Sequence, residues 1–203
     1  MKKIKILFLS TIIITIAFCS CSRDDYDLEP STFVPDPVNS DLPEYSELGY
    51  NTFGAYFGRK PFVSNNSEVP LKIIIKNDTL NLQFTGIFYD DDKKTKAVLN
   101  FAFIGVIPYS YENLDVLADK KYNLTDTACI VTIKYEEYQE VFKIIEGRFE
   151  ILKVQNLVID NIASKAILSG KFQFQTYIDN DPTTISNGRF DVTVGYENFF
   201  SIR

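Results

Sequence analysis

The chain has 203 residues, 27 acidic against 21 basic, a net charge of −6 and no histidine. That balance, with no Lys/Arg-rich run, argues against nucleic acid and anionic lipid surfaces as charge-driven partners. The missing histidine removes Ser-His-Asp and Cys-His catalysis and the commonest zinc ligand.

At the N-terminus, Lys2, Lys3 and Lys5 precede an apolar run from Ile6 to Phe18, broken only by Ser10, Thr11 and Thr15. A charged start and a short apolar run are the anatomy of a secretory signal. The run falls short of the roughly 20 apolar residues that a stable span needs. Phe18-Cys19-Ser20-Cys21 resembles a lipobox of the loose Bacteroidota kind, in which a small residue precedes the modified cysteine. Ser20 meets that demand for Cys21, whereas Phe18 is too bulky to precede Cys19. The resemblance implies that residues 1–20 are a removed signal peptide and that Cys21 is lipidated, with the membrane as partner. Several acyl chains anchor stably where one does not. Ser22-Arg23-Asp24-Asp25 and the acidic residues after it resemble the surface-export signal of Bacteroidota lipoproteins. This implies an outer-membrane protein displayed at the cell surface, with the periplasmic leaflet as the alternative. Loss of residues 1–20 removes three lysines, leaving 18 basic against 27 acidic residues, net −9.

Residues 21–48 read as the lipidated cysteine and a flexible acidic tether, with Pro30, Pro35, Pro37 and Pro43 among Asp, Ser and Glu. Such a composition buries little apolar surface. Residues 49–203 read as a single domain. Only Cys21 and Cys129 outlast signal removal, so no disulfide framework is expected. Cys129, in an apolar β-like run, reads as a small buried residue.

The predicted strands follow in order. Residues 71–76 and 79–85 flank Asn77-Asp78, residue types that tolerate positive φ, as a tight hairpin. Residues 87–89 and 97–103 flank the Asp90–Lys94 loop as a second hairpin. Residues 110–118 are the one short helix, with Ser110 as its N-cap. Residues 128–135 and 140–145 flank Glu136-Glu137 as a third hairpin. The C-terminal half carries an echo: Gly147-Arg148-Phe149-Glu150-Ile151, Gly170-Lys171-Phe172-Gln173-Phe174 and Gly188-Arg189-Phe190-Asp191-Val192. Each reads as a strand start, with glycine at the bend, Phe inward and the polar residues outward. With 17 Phe, 12 Tyr and no Trp, the fold class is all-β: an antiparallel β-sandwich or a calycin-like barrel with at most one short helix.

Asn51-Thr-Phe-Gly-Ala55, the Leu168–Phe174 and Ser186–Val192 segments, and Tyr122-Asn-Leu124 resemble a Bacteroidota lipoprotein domain family of unknown function. That family opens on an NTFG-type motif, often followed by Cys, then a short hairpin. Ala55 stands at the frequent Cys. The resemblance implies a lipid-anchored β domain and supplies no catalytic residues.

No catalytic motif, P-loop or Rossmann glycine pattern occurs, so the chain is expected to be non-catalytic and without cofactor or metal. Asp90-Asp91-Asp92 and Asp179-Asn180-Asp181 lack EF-hand spacing. Asp78-Thr79-Leu80 and Asp126-Thr127-Ala128 resemble the Bacteroidota O-glycosylation acceptor pattern, which makes Thr79 and Thr127 candidate acceptors. Aromatic patches at Tyr109 and Tyr111, Tyr135 to Tyr138, and Tyr196 to Phe200 are candidate stacking surfaces that more often cap a core. The expected function is a surface-displayed β domain binding a glycan, a peptide or a partner lipoprotein. The alternatives are a structural or assembly role in the envelope, or a lipocalin-like barrel around an apolar ligand.

Overall fold

The computed structural model describes residues 30–90, 93–105, 108–160, 162–178 and 180–202. Cys21, Ser22, Arg23, Asp24 and Asp25, the signal peptide, and Asp91, Asp92 and Asp179 lie outside them.

The fold is all-β. Among the described residues twelve strands form one sheet that curls into a half-barrel, ordered β6-β9-β10-β11-β1-β2-β4-β5-β7-β8, with β3 on β4 and β12 on β3. The strands are β1 Thr52–Phe57, β2 Lys60–Val63, β3 Leu71–Lys76, β4 Thr79–Asp90, β5 Lys93–Ile104 and β6 Lys121–Asn123. Then come β7 Cys129–Tyr135, β8 Tyr138–Val141, β9 Glu146–Ile159, β10 Ile162–Ile178, β11 Asp181–Val194 and β12 Phe199–Ile202. Pairing is antiparallel except for β12, which runs parallel to β3.

The hairpins at Asn77-Asp78 and Glu136-Glu137 form where the turn chemistry puts them. Asn77 and Glu136 take φ of 55° and 44°. The two strands expected on either side of Gly86 are one strand, β4. A Cβ on Gly86 would lie 2.6 Å from the Phe62 ring, so this glycine serves a close approach and not a break. The helix is present as a 3₁₀ segment, Tyr111–Leu117, with non-helical Asn113 inside it. Ser110 occupies the N-cap position, but its side chain makes no capping bond.

The concave side of the sheet is filled by phenylalanines. Phe53 stacks on Phe84 at 4.9 Å, Phe84 meets Phe190 at 5.0 Å, and Phe101 meets Phe149 at 4.7 Å and Phe172 at 5.0 Å. Such ring pairs add to their area burial. The three echo rings, Phe149, Phe172 and Phe190, all belong to this cluster. Only Gly147 of the echo starts its strand. Gly170 and Gly188 lie within β10 and β11, contrary to the expectation of three strand starts. Each echo glycine faces a phenylalanine on the next strand: Gly147 pairs with Phe174, Gly170 with Phe190 and Gly188 with Phe172.

The tether expectation fails for residues 30–48. This segment is a strap packed across the outer face of the sheet. Leu42 is fully buried, and Pro35 bridges to Pro43. A Cβ on Gly54 would stand 2.6 Å from Pro43 Cδ, so the glycine admits the strap. Thr32 N–H donates to the Tyr50 carbonyl and Glu44 N–H to that of Val34. The packed region therefore reaches back to Ser31, which is buried, and does not begin near Tyr50.

Candidate functional site

Alternation along β9, β10 and β11 sends Phe149, Phe172, Phe174 and Phe190 inward. It sends Arg148, Glu150, Lys171, Gln173, Gln175 and Arg189 to the outer face. The base of each echo unit (Arg148, Lys171, Arg189) thus lies on one side of three neighbouring strands. Between Phe172 and Phe174 the register of β10 on β11 shifts: Phe172 pairs with Gly188 and Phe174 with Ile185. Ser186 and Asn187 then oppose Gln173 alone. This is a β-bulge, and Asn187 enters the left-handed region at φ 53°. Bulges kink a strand and re-aim its side chains, often beside functional sites.

At the bulge the outer face opens into a groove with two arms. One arm, about 370 Å³, is lined by Glu146, Arg148, Gln173, Gln175, Thr184 and Ser186 over a floor of Gly147 and Phe174. The other, about 280 Å³, runs under the strap between Tyr45, Glu150, Lys171, Asn187 and Arg189. Arg148 and Gln173 line both arms.

The strap forms one wall of the second arm. Arg189 is paired with Asp36 at 2.5 Å, with side chains 11% and 17% exposed. The Asn39 N–H, at 2.7 Å, is the main influence holding the Asp36 carboxyl down at about 2. Arg189 and the Val38 N–H act in the same direction, against burial. Lys171 Nζ stands 4.3 Å from the centre of the Tyr45 ring. Burial pushes the Tyr45 phenol up, and its hydrogen bond to Glu47 reinforces the shift. Below the groove Asp191, 1% exposed, accepts from the hydroxyls of Ser46 and Ser169 and from the N–H groups of Leu48, Gly49 and Tyr50. Asn51, at φ 56°, links the strap to β11: its amide donates to Pro30 O and its oxygen accepts from Thr193 N–H. The Asn51-Thr-Phe-Gly opening and the Gly-Arg-Phe-Asp-Val close are two halves of one clasp.

Glu146 and Glu150 are four residues apart on β9, about 13 Å along a strand. Among the described residues no group of three or more His, Cys, Asp or Glu could hold a metal ion, and no helix is long and apolar enough to cross a membrane.

The groove gathers none of the positions singled out from the sequence as candidate sites. Thr79 opens β4 beside the Asn77-Asp78 turn, and Thr127 is exposed in the turn before β7. They flank the end of β5, where Gly105 N–H donates to Asp78 O at 2.8 Å and Ile104 N–H to Ala128 O at 2.9 Å. The aromatic patches lie on separate elements. Tyr111 and Tyr135 pack against the core, while Tyr109, Tyr138 and Tyr196 are exposed. Cys129 is half-buried, not buried. Its thiol is pushed up by desolvation and secondarily by Asp126. The signal that leads to the groove is the echo, whose basic position reads in isolation as one more outward polar residue.

No protein-family model, curated protein or solved structure matches the chain.

Proposed function

We propose that this chain is a non-catalytic lipoprotein, anchored through a lipidated Cys21 to the outer membrane and displayed at the cell surface, and a member of the Bacteroidota family that its motifs resemble. Its β domain binds a glycan, a peptide or a partner lipoprotein in the groove of β9, β10 and β11. The observation that carries the binding role is the bulge at Ser186-Asn187, which opens a polar groove on the sheet face beside a fixed strap. A lipocalin-like barrel would need an apolar chamber. The concave side is instead packed with phenylalanine rings, which favours a ligand held outside.

Fractionation and protease shaving of the native host test the anchoring. The wild type is expected in the outer-membrane fraction and to be cleaved by protease added to intact cells. Cys21→Ala is expected to be released from membranes, and a variant that still sediments with them overturns the anchor. Retention of a cell-surface or extracellular component by the wild type, lost in Arg148→Ala, tests the groove. Equal retention by both would favour the structural reading. Thr79 and Thr127 are proposed as glycosylated. Their exposed or half-exposed positions beside turns support this, and an unmodified intact mass from the native host removes it.

A further inference from the structure

We infer that the groove takes a neutral oligosaccharide, held through hydrogen bonds to the amides of Gln173 and Gln175. This deepens the binding role proposed above and rests on it.

The site lies on a sheet face, not at an edge. The register of β10 with β9 runs unbroken from Lys171–Glu150 to Gln175–Glu146, and β9 pairs on its other side with β6 at Glu150 and Arg148. Those backbone groups point within the sheet and are engaged there. A peptide cannot dock here by adding a strand, the mode in which main-chain bonds supply its affinity. Recognition must come from side chains.

Those side chains are amides and hydroxyls. Gln173 is exposed and Gln175 half-buried, and their amides form no hydrogen bond with another described residue. Thr184, Ser186 and Asn187 stand beside them. Each amide and hydroxyl offers both donor and acceptor, which matches a ligand whose own hydroxyls are both at once. A protein partner would need a desolvated aromatic or aliphatic anchor at the centre. The rings at this groove do not offer one: Phe172 and Phe174 are buried beneath it, and Tyr45 is covered by Lys171.

Charge separates neutral from anionic glycans. The groove carries Arg148, Lys171 and Arg189 against Asp36, Glu146 and Glu150. Arg189 is committed to Asp36, Lys171 to the Tyr45 face, and Arg148 lies 3.7 Å from Glu150. The field of a polyanion would meet no surplus of cations, in a chain whose net charge is −6. Four strand residues span about 13 Å, the length of a short oligosaccharide.

The test uses the full chain, purified in detergent. It is applied to an array of short neutral hexose and N-acetylhexosamine oligosaccharides, with uronate-bearing oligosaccharides and peptides as further arms. Retained members are then titrated calorimetrically. Binding of a neutral oligosaccharide is expected. It should weaken about tenfold or more in the double variant Gln173→Ala/Gln175→Ala. Gln139→Ala on β8 should bind as the wild type, and circular dichroism checks that each variant is folded. If only uronate-bearing sugars or peptides bind and the double variant loses them, the neutral-glycan inference is overturned while the groove keeps its binding role. If a neutral oligosaccharide binds equally well to the double variant, the two amides are not its site and the inference is overturned. If no array member binds, it is overturned as well, and the anchoring experiments still stand on their own results.

Discussion

Asp36 holds its own loop and reaches across to β11. Its Oδ1 accepts from the N–H groups of Val38 and Asn39, and its Oδ2 pairs with Arg189. The carboxyl titrates at about 2 in the folded protein, below the ordinary range near 3.9 of an unfolded aspartate. The unfolded chain therefore binds the proton first as pH falls. The contribution of this group to stability is complete above about pH 4 and disappears as pH drops through about 2. Urea midpoints measured between pH 5 and pH 2 should fall more steeply in the wild type than in Asp36→Asn, which keeps an oxygen for the loop but does not ionise. Parallel curves would remove Asp36 as a source of acid sensitivity. Tyr122 gives the opposite kind of residue. Its ring stacks on Phe103 at 4.1 Å, but its buried hydroxyl has no hydrogen-bond partner among the described residues. Burial, with a smaller push from Cys129, raises that hydroxyl to about 12. Tyr122→Phe keeps the stack and removes the orphaned group. It should leave stability unchanged or raise it by up to about 1 kcal/mol, read from the denaturant midpoint.

Glycine behaves differently in this sheet from the way its sequence neighbourhood suggests. Gly86, Gly170 and Gly188 read locally as breaks or beginnings, yet all three lie inside long strands. Each is there because an aromatic ring from a neighbouring strand passes over it: Phe62, Phe190 and Phe172 respectively. Period-2 alternation and turn residues made the strands and hairpins legible, since both are local. The covering ring lies on another strand, so strand bounds were misread and two expected strands proved to be one, β4. The parallel pairing of β12 with β3 has the same cause, because nothing in either segment specifies a partner more than a hundred residues away. Gly188→Ala tests the close approach. Its Cβ would fall 2.5 Å from both the Phe172 ring and the Phe172 carbonyl oxygen, and the backbone cannot swing aside. A loss of about 1–3 kcal/mol is expected from overpacking. At Gly58, with φ 59° and open space around it, the same change meets only backbone strain of about 1–2 kcal/mol. Comparing the two unfolding midpoints separates crowding from conformational strain, and a tolerant Gly188 would mean that the sheet breathes at the bulge.

For the whole molecule, the largest departure from the sequence reading is where the folded body begins. Residues 30–48 have the composition of a tether, with prolines and acids and few apolar side chains. What makes them fold is supplied from elsewhere. Gly54 leaves a seat for Leu42 and Pro43, and Asp191 on β11 offers a buried carboxylate to three successive N–H groups of the strap. Without the strap that carboxylate would be left in a hollow with Ser169 as its remaining partner, and the outer face of β11 would be bare. Leu42 adds about 1.5–3 kcal/mol for its full burial. The hydrogen bonds that the strap gives to the Asp191 carboxylate add about as much again. A chain starting at residue 30 contains the whole described body and is the reference for the comparison. A chain starting at residue 50 should lose about 3 kcal/mol or more, or fail to accumulate as folded protein. Replacing Asp191 by Asn in the chain starting at residue 30 keeps the result interpretable if that truncation is insoluble. The variant retains the volume and one acceptor oxygen, stays folded, and should expose the strap to protease at the 46–50 segment. If the chain starting at residue 50 were as stable as the longer one, the strap would be a tether after all, and the strap-walled arm of the groove would lose its fixed wall. If it is destabilised as expected, only residues 22–29 separate the lipidated cysteine proposed at position 21 from the folded body. At about 3.3–3.6 Å per residue they reach roughly 30 Å when fully extended. Lengthening the chain between Cys21 and Pro30 should leave the affinity of the groove unchanged.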